Sequence, residues 1–186
     1  YGAPELSLMM AGHTELAHYA GLPLWQTGGC TDSKTFDEQA ITEGSLSVFF
    51  SALTGGDLCH DVGYTESAMT GSVFQLTAMN EAIGYARRIT RGIEVNEDTL
   101  AVDVINRVGP NGHYLKDEHT RKHYKNEYWL PELIDRRSFE DWKMMGEKSF
   151  KDRTVAKVQD ILASYEQVPL KDDTEDLIEE VLAEAE

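Results

Sequence analysis

Two stretches of similar grammar decide the fold: Pro23-Leu24-Trp25-Gln26-Thr27-Gly28-Gly29-Cys30-Thr31-Asp32-Ser33-Lys34 and Leu58-Cys59-His60-Asp61-Val62-Gly63-Tyr64-Thr65-Glu66-Ser67. Each opens as a short run suited to a strand and passes directly into a polar, glycine-bearing loop. The runs predict strands over Pro23–Thr27 and Leu58–Val62. Ahead of the first, Leu6, Met9, Met10, His13, Leu16, Ala17 and Ala20 recur at helical spacing between Pro4, suited to a first turn, and Gly21, suited to a C-cap. Between the two strands, Asp37 is placed to N-cap a helix from Glu38 to Leu53. Its apolar face carries Ile41, Leu46, Phe49, Phe50 and Leu53, and Gly55-Gly56 stops it. A third helix, Ser72 to Arg91, turns Leu76, Met79, Ile83 and Ala86 inward, with Arg87, Arg88 and Arg91 in its last turn.

Short αβ connections and long polar βα loops argue for parallel strands joined by crossover helices. Two strands cannot cover a parallel sheet, so the expected class is α/β, an arc of a larger domain. A (β/α) barrel fits, because such barrels place their chemistry in the βα loops. From Asn96 the pattern becomes helical: Glu97–Val108, pieces around His119–Tyr124, Trp129–Ile134 and Phe139–Met144, then Phe150–Tyr165. Tyr128-Trp129, Trp142 and Phe150 serve as aromatic anchors. The expected division is residues 1–92 as βα units, 93–170 as a helical extension and 171–186 as an acidic tail helix with Leu177, Ile178, Val181 and Leu182 on one face.

The chain of 186 residues has a formal net charge of -16, unevenly spread. Residues 1–86 hold ten acids against Lys34, and 171–186 hold eight against Lys171, whereas 87–170 are balanced. So acidic a surface repels phosphate backbones and anionic bilayers, and neither nucleic acid nor membrane is expected as a partner. Apolar runs fall far short of the roughly 20 residues a bilayer span needs, and no signal-peptide pattern is visible. Cys30 and Cys59 make neither a disulfide framework nor a zinc ribbon, so a cytoplasmic location is expected. The opening Tyr1-Gly2-Ala3-Pro4, rather than Met, reads as processing or as a piece of something longer.

The Gly28–Lys34 loop lacks both the P-loop and the dinucleotide glycine spacing, and a tight βα turn competes evenly with an active-site loop. His119 and His123 share one helical face. Arg121 and Lys122 between them oppose a dication and His113 is the only nearby third ligand in sequence, so solvated or capping histidines are favoured over zinc. His60, in a strand that feeds a polar loop, either points into a site or is a bonded core histidine. The two βα loops offer Asp32, Asp37, Asp61 and Glu66 with Trp25 and Tyr64 close in sequence. Carboxylates and aromatic faces without matching cations suit a positively charged ligand. The competing account makes these acids helix caps.

These residues, in order, resemble the trimethylamine methyltransferase superfamily of corrinoid-dependent methyltransferases. The resemblance is carried by Tyr1 to Leu6, Gly21-Leu22-Pro23, Gly28 to Lys34, Asp37 to Ala40, Leu58 to Gly63 with Glu66-Ser67, Gln75-Leu76 and Asn80-Glu81. It continues through Arg87 to Ile93, Val108 to Leu115 and Trp129-Leu130-Pro131. It implies the C-terminal part of a (β/α)8 TIM-type barrel followed by a helical extension. It also implies transfer of a methyl group from trimethylamine or a quaternary amine such as glycine betaine to the cobalt(I) of a cognate corrinoid protein. The corrinoid (cobalamin) would be carried by that partner, with no cofactor bound directly, no resident metal, and homo-oligomeric assembly. Trimethylamine members carry pyrrolysine, which is absent from these positions; it lies outside them, or the chain belongs with members that lack it. Substrate contact is expected at Trp25, Asp32, His60, Tyr64 and Glu66, with no catalytic residue assigned. Two readings stay open beside this one: another barrel enzyme acting on a small cation, and a non-catalytic scaffold.

Overall fold

A computed structural model describes residues 1–171 and 173–184. It is mixed α/β and mostly helical, with two two-stranded sheets among the described residues. Helix α1 (Pro4–Ala20) starts on its proline and ends at Gly21, whose φ of 66° returns its N–H to the Ala17 and His18 carbonyls. Strand β1 (Trp25–Thr27) follows. Helix α2 (Glu38–Thr54) is capped by Asp37, which accepts the Ala40 N–H at 2.9 Å. Strand β2 (Leu58–His60) pairs parallel to β1 with Trp25 opposite Leu58, Gln26 opposite Cys59 and Thr27 opposite His60. The expected parallel pairing is present, although both strands are shorter than the sequence predicts. Helix α3 (Val73–Thr90), capped by Ser72, closes this part.

The sequence reading missed a hairpin inside the second βα loop. Strands β3 (Tyr64–Thr65) and β4 (Thr70–Gly71) pair antiparallel around a tip in which Glu66, Ser67 and Ala68 all have φ between 53° and 68°. Beyond Gly92, α4 (Glu97–Leu100) and α5 (Val102–Val108) replace the single helix expected there. Ala101, with φ of 48°, breaks the run, and Asn96 and Thr99 close a reciprocal cap ahead of it. Then come a 3-10 turn at Tyr114–Lys116, α6 (Glu118–Glu127), α7 (Phe139–Met144), α8 (Phe150–Ser164) and α9 (Thr174–Glu184). The exposed acidic tail helix is present as α9; Asp172, Ala185 and Glu186 lie outside the described residues.

Trp129–Ile134 is not helical: Pro131 offers no N–H, and one carboxylate takes the N–H groups that follow it. Glu81 on α3 is only 6% exposed and accepts the backbone N–H groups of Leu133 and Ile134 at 2.8 Å each and of Glu132 at 3.3 Å. Donors aimed at one side chain cannot also serve a helix ladder. Of the neighbouring anchor pair, Trp129 packs edge-on against Tyr85, with ring centroids 5.6 Å apart, whereas Tyr128 is exposed.

The core lies between α2 and α3, where Phe36, Val48, Ala78, Met79 and Ala86 meet, with Phe150 of α8 packed against them. Gly44 permits the close approach: a Cβ there would sit 2.7 Å from both the Met79 sulfur and the Gln75 amide nitrogen. On the strand side a polar knot replaces apolar packing. Gln26 is fully buried, donating to Thr14 of α1 and Thr54 of α2 and accepting from Ser51. Cys30 is also fully buried, and burial pushes its thiol up to about 11, so it stays neutral at physiological pH. At most one thiol, Cys59, is therefore expected to react with a maleimide in the native chain, and Cys30 only in denaturant. Mass spectrometry showing native modification of Cys30 would contradict its placement.

Candidate functional site

Strand alternation gives β1 and β2 two different faces. Gln26 points to the helices, whereas Trp25, Thr27 and His60 share the opposite face, which no described element covers at Trp25 (65% exposed). Here the Trp25 and His60 rings meet edge-on, with centroids 5.1 Å apart. The His60 Nδ1 lies 2.8 Å from Asp61 Oδ1, and Thr27 Oγ1 stands 3.4 Å from both His60 Nε2 and Asp61 Oδ2. Asp61 holds this position with a φ of 65°, a left-handed conformation that Asp tolerates better than most residues.

Beyond the strands, the two βα loops stay zipped together by backbone hydrogen bonds. Gly28 donates to His60, Gly63 to Gly29, Thr31 to Tyr64, Ser67 to Thr31 and Glu66 to Ser33, at 2.8–3.1 Å. Gly29 makes the turn possible, since its φ is 80° and a Cβ would meet the Val62 backbone at 3.2 Å. The glycines thus serve a tight turn, as one of the two readings had it. The zipper carries Asp32 to Ser67, whose hydroxyl donates to Oδ1 at 2.8 Å. That hydroxyl above all, with the Gly2 N–H, holds the Asp32 carboxyl below the usual carboxylate range, so it is ionised at physiological pH. Glu66 accepts from the Thr70 hydroxyl at 3.0 Å.

Comparison with known proteins settles the family. The model of the family described as trimethylamine methyltransferase (MTTB) matches residues 1–185. The chain belongs to the trimethylamine methyltransferase family. It is 35% identical over 185 residues to trimethylamine methyltransferase MttB of Desulfitobacterium hafniense (strain DCB-2), covering 100% of this chain and 37% of that protein. It is 36% identical over 165 residues to the glycine betaine methyltransferase of Desulfitobacterium hafniense (strain Y51), covering 88% of this chain and 34% of that protein. Against trimethylamine methyltransferase MttB of Methanosarcina barkeri (strain Fusaro), identity is 34% over 174 residues, 92% of this chain and 34% of that protein. The chain therefore spans about a third of the length of these family members.

In this family member the residues singled out from sequence fall into two groups. Trp25 and His60 touch on the free strand face; Asp32 and Glu66 sit on the zipped loops, joined through Ser67 and its neighbours, with Tyr64 leading into the hairpin. Two further participants on the strand face are Thr27 and Asp61. Asp61 was among the loop acids in sequence, and the strand register that puts Thr27 opposite His60 is what singles out Thr27. Asp37 is a cap, its carboxyl lowered chiefly by the Ala40 N–H. Glu43 of α2 was missed: it accepts the Thr31 hydroxyl at 2.5 Å and the Asp32 N–H at 2.9 Å, bracing the first loop from beneath. Nothing in its helical spacing marks it out.

Two apolar clefts lie elsewhere, of about 480 Å³ beside Ile41, Phe49, Tyr85 and Phe150 and about 510 Å³ beside Leu76, Ile83, Val158 and Ile161. Neither reaches Trp25, Asp32, His60, Tyr64 or Glu66; the first has Glu81 as its carboxylate, already engaged by backbone N–H groups, and the second sets Glu81 and Glu132 beside Lys157. The strand face, with the Asp61 carboxylate and an open aromatic ring, suits such a ligand better. No helix among the described residues is long and apolar enough to cross a membrane.

Proposed function

We propose that the chain forms part of an enzyme that takes a methyl group from a quaternary or tertiary methylamine. The architecture in this reading is a (β/α) barrel, of which β1 and β2 are adjacent strands and their free face the interior. Family membership carries the reading, and the free strand face supports it with a cation-binding donor set that contains no Lys or Arg. The open Trp25 ring offers a π face to a methylated ammonium, and the Asp61 carboxylate lies on the same side. Asp32 and Glu66, farther out on the loops, add negative potential at the entrance.

A corrinoid carried by a separate protein would supply the cobalt(I) nucleophile. A quaternary ammonium departs as a neutral amine that keeps the C–N electron pair, so the protein needs no general acid there. Its own residues bind the cation, point one methyl outward and exclude water. A tertiary amine leaves as a neutral amine only when it is protonated or joined to an electrophile, whereas a quaternary amine needs neither, so the quaternary substrate asks less of these residues. The chain is assigned to the cytoplasm in this reading.

The test mixes the enzyme that contains this chain with a cobalt(I) corrinoid protein and either glycine betaine or trimethylamine. Methylation is followed by the corrinoid's visible spectrum. Faster turnover of the quaternary amine is expected. Turnover of neither amine would overturn the assignment, and preference for trimethylamine would overturn the substrate class.

A further inference from the structure

Asp98 of α4 and His119 and His123 of α6 bring one carboxylate and two imidazoles together, each offering a ligand atom within 4.8 Å of the others. Residues distant in sequence supply the third donor that the His119/His123 spacing lacks by itself. The two rings stack on one helix face with centroids 4.3 Å apart. Asp98 Oδ1 lies 3.7 Å from His119 Nε2 and Oδ2 lies 3.2 Å from His123 Nε2. Donors bound to a first-row metal at about 2.1 Å stand about 3.0–3.4 Å from one another, so the spacing is already near that of a ligand set.

The groups' present partners do not account for the arrangement. His123 Nε2 is buried and makes no hydrogen bond, although a carboxylate oxygen is close. A buried nitrogen left without a partner calls for an explanation; in its unprotonated form it turns a lone pair toward a carboxylate and a second imidazole, a place a divalent cation can occupy. His119 Nε2 is 2.7 Å from the Asp98 carbonyl oxygen, a hydrogen bond that a metal ion would replace. Lys122 now holds the cation's position, with Nζ 2.7 Å from Asp98 Oδ2, on a side chain 64% exposed that is free to swing into solvent. The helix itself is fixed independently: Asp117 caps it by accepting the His119 N–H at 2.9 Å and is held by Arg107 at 2.7 Å.

We propose that Asp98, His119 and His123 form a binding site for a divalent transition-metal ion of the zinc type, which ties α4 to α6. Two imidazoles and a carboxylate leave at least one coordination position for water or a further ligand. Two imidazoles select against Mg²⁺ and Ca²⁺, which prefer oxygen donors. Arg121 and Lys122, which weigh against a cation in the sequence, act differently in the fold. Lys122 is a competitor for the site rather than a barrier to it.

The experiment strips the enzyme that contains this chain with chelator, exchanges it into metal-free buffer, and titrates it with Zn²⁺ by calorimetry in excess Mg²⁺, which occupies ordinary surface carboxylates, and with Co²⁺ by visible absorption. One equivalent should bind through nitrogen and oxygen donors. Asp98→Asn and His123→Gln should each weaken it tenfold or more, with the helical circular dichroism unchanged. Lys122→Met should tighten it several-fold, an effect opposite in sign that loss of folding cannot mimic. Undetectable Zn²⁺ binding in wild type and in Lys122→Met, binding equal in all the variants, or a Co²⁺ spectrum dominated by thiolate charge transfer would each overturn the site.

Discussion

Replacing Glu81 by Ala is expected to cost about 2–4 kcal/mol of stability, because it strands buried backbone donors that have no other partner. The Leu133 N–H is the most exposed to this loss, since Leu133 is 4% accessible and its N–H meets only the Glu81 carboxylate at 2.8 Å. Ile134 donates to the same oxygen and Glu132, more weakly, to the other. One carboxylate therefore does what a helix turn would otherwise do for this segment. It also fixes Trp129 against Gly84 and Tyr85, and Arg153 against the Leu133 carbonyl, where Nε donates at 2.6 Å. Glu81→Gln should fall between wild type and Ala, because one amide oxygen accepts two of the donors while its NH₂ opposes the third. Urea unfolding followed by tryptophan fluorescence would measure this as a shift of midpoint at constant slope. A loss below about 0.5 kcal/mol in Glu81→Ala would mean that the segment is held by its side chains and not by the carboxylate.

What was legible in the sequence, and what was not, follows from the range of the forces involved. Helices α1, α2 and α3 and the parallel pairing were readable, because caps and periodicity act within a few residues: Pro4, Gly21, Asp37 and Ser72 stand at the ends they were read to mark. The family resemblance was readable for another reason, since a collinear series of short motifs survives where no single one is decisive. The Trp129–Ile134 segment was misread because its deciding partner, Glu81, lies about fifty residues away and on another helix. The β3–β4 hairpin was missed because Glu66, Ser67 and Ala68 carry no glycine to announce left-handed backbone. At the site, sequence named Trp25 and His60, whose contact depends on the register of two strands. It left Asp61 undistinguished from Asp37, though one lies on the free face and the other caps a helix. His119 and His123 were set aside because Arg121 and Lys122 oppose a dication and His113 was the only nearby third ligand in sequence, whereas the fold brings Asp98 of α4 against both rings.

Among the carboxylates near the strand ends, Asp61 is the one whose substitution should cut methyl transfer most. Asp32 has its charge engaged by the Ser67 hydroxyl, and Glu66 stands exposed beside Thr70. Asp61 instead lies against His60 and Thr27 on the face that carries the Trp25 ring, where a bound ammonium would meet carboxylate and π face together. Asp61→Asn removes the charge and almost nothing else: Asn matches the shape, and Asn also tolerates the left-handed backbone that this position needs. In the intact enzyme, kcat/KM for a quaternary amine should fall tenfold or more, about 1.4 kcal/mol of lost transition-state binding. Most of the loss should lie in KM if the carboxylate holds the cation equally before and during transfer, and in kcat if it orients the departing methyl. Asp37→Asn, a cap replaced by another good cap, controls for the loss of one negative charge from the same loops. A kcat/KM within twofold of wild type for Asp61→Asn, or an equal fall in Asp37→Asn, would take the cation off the strand face.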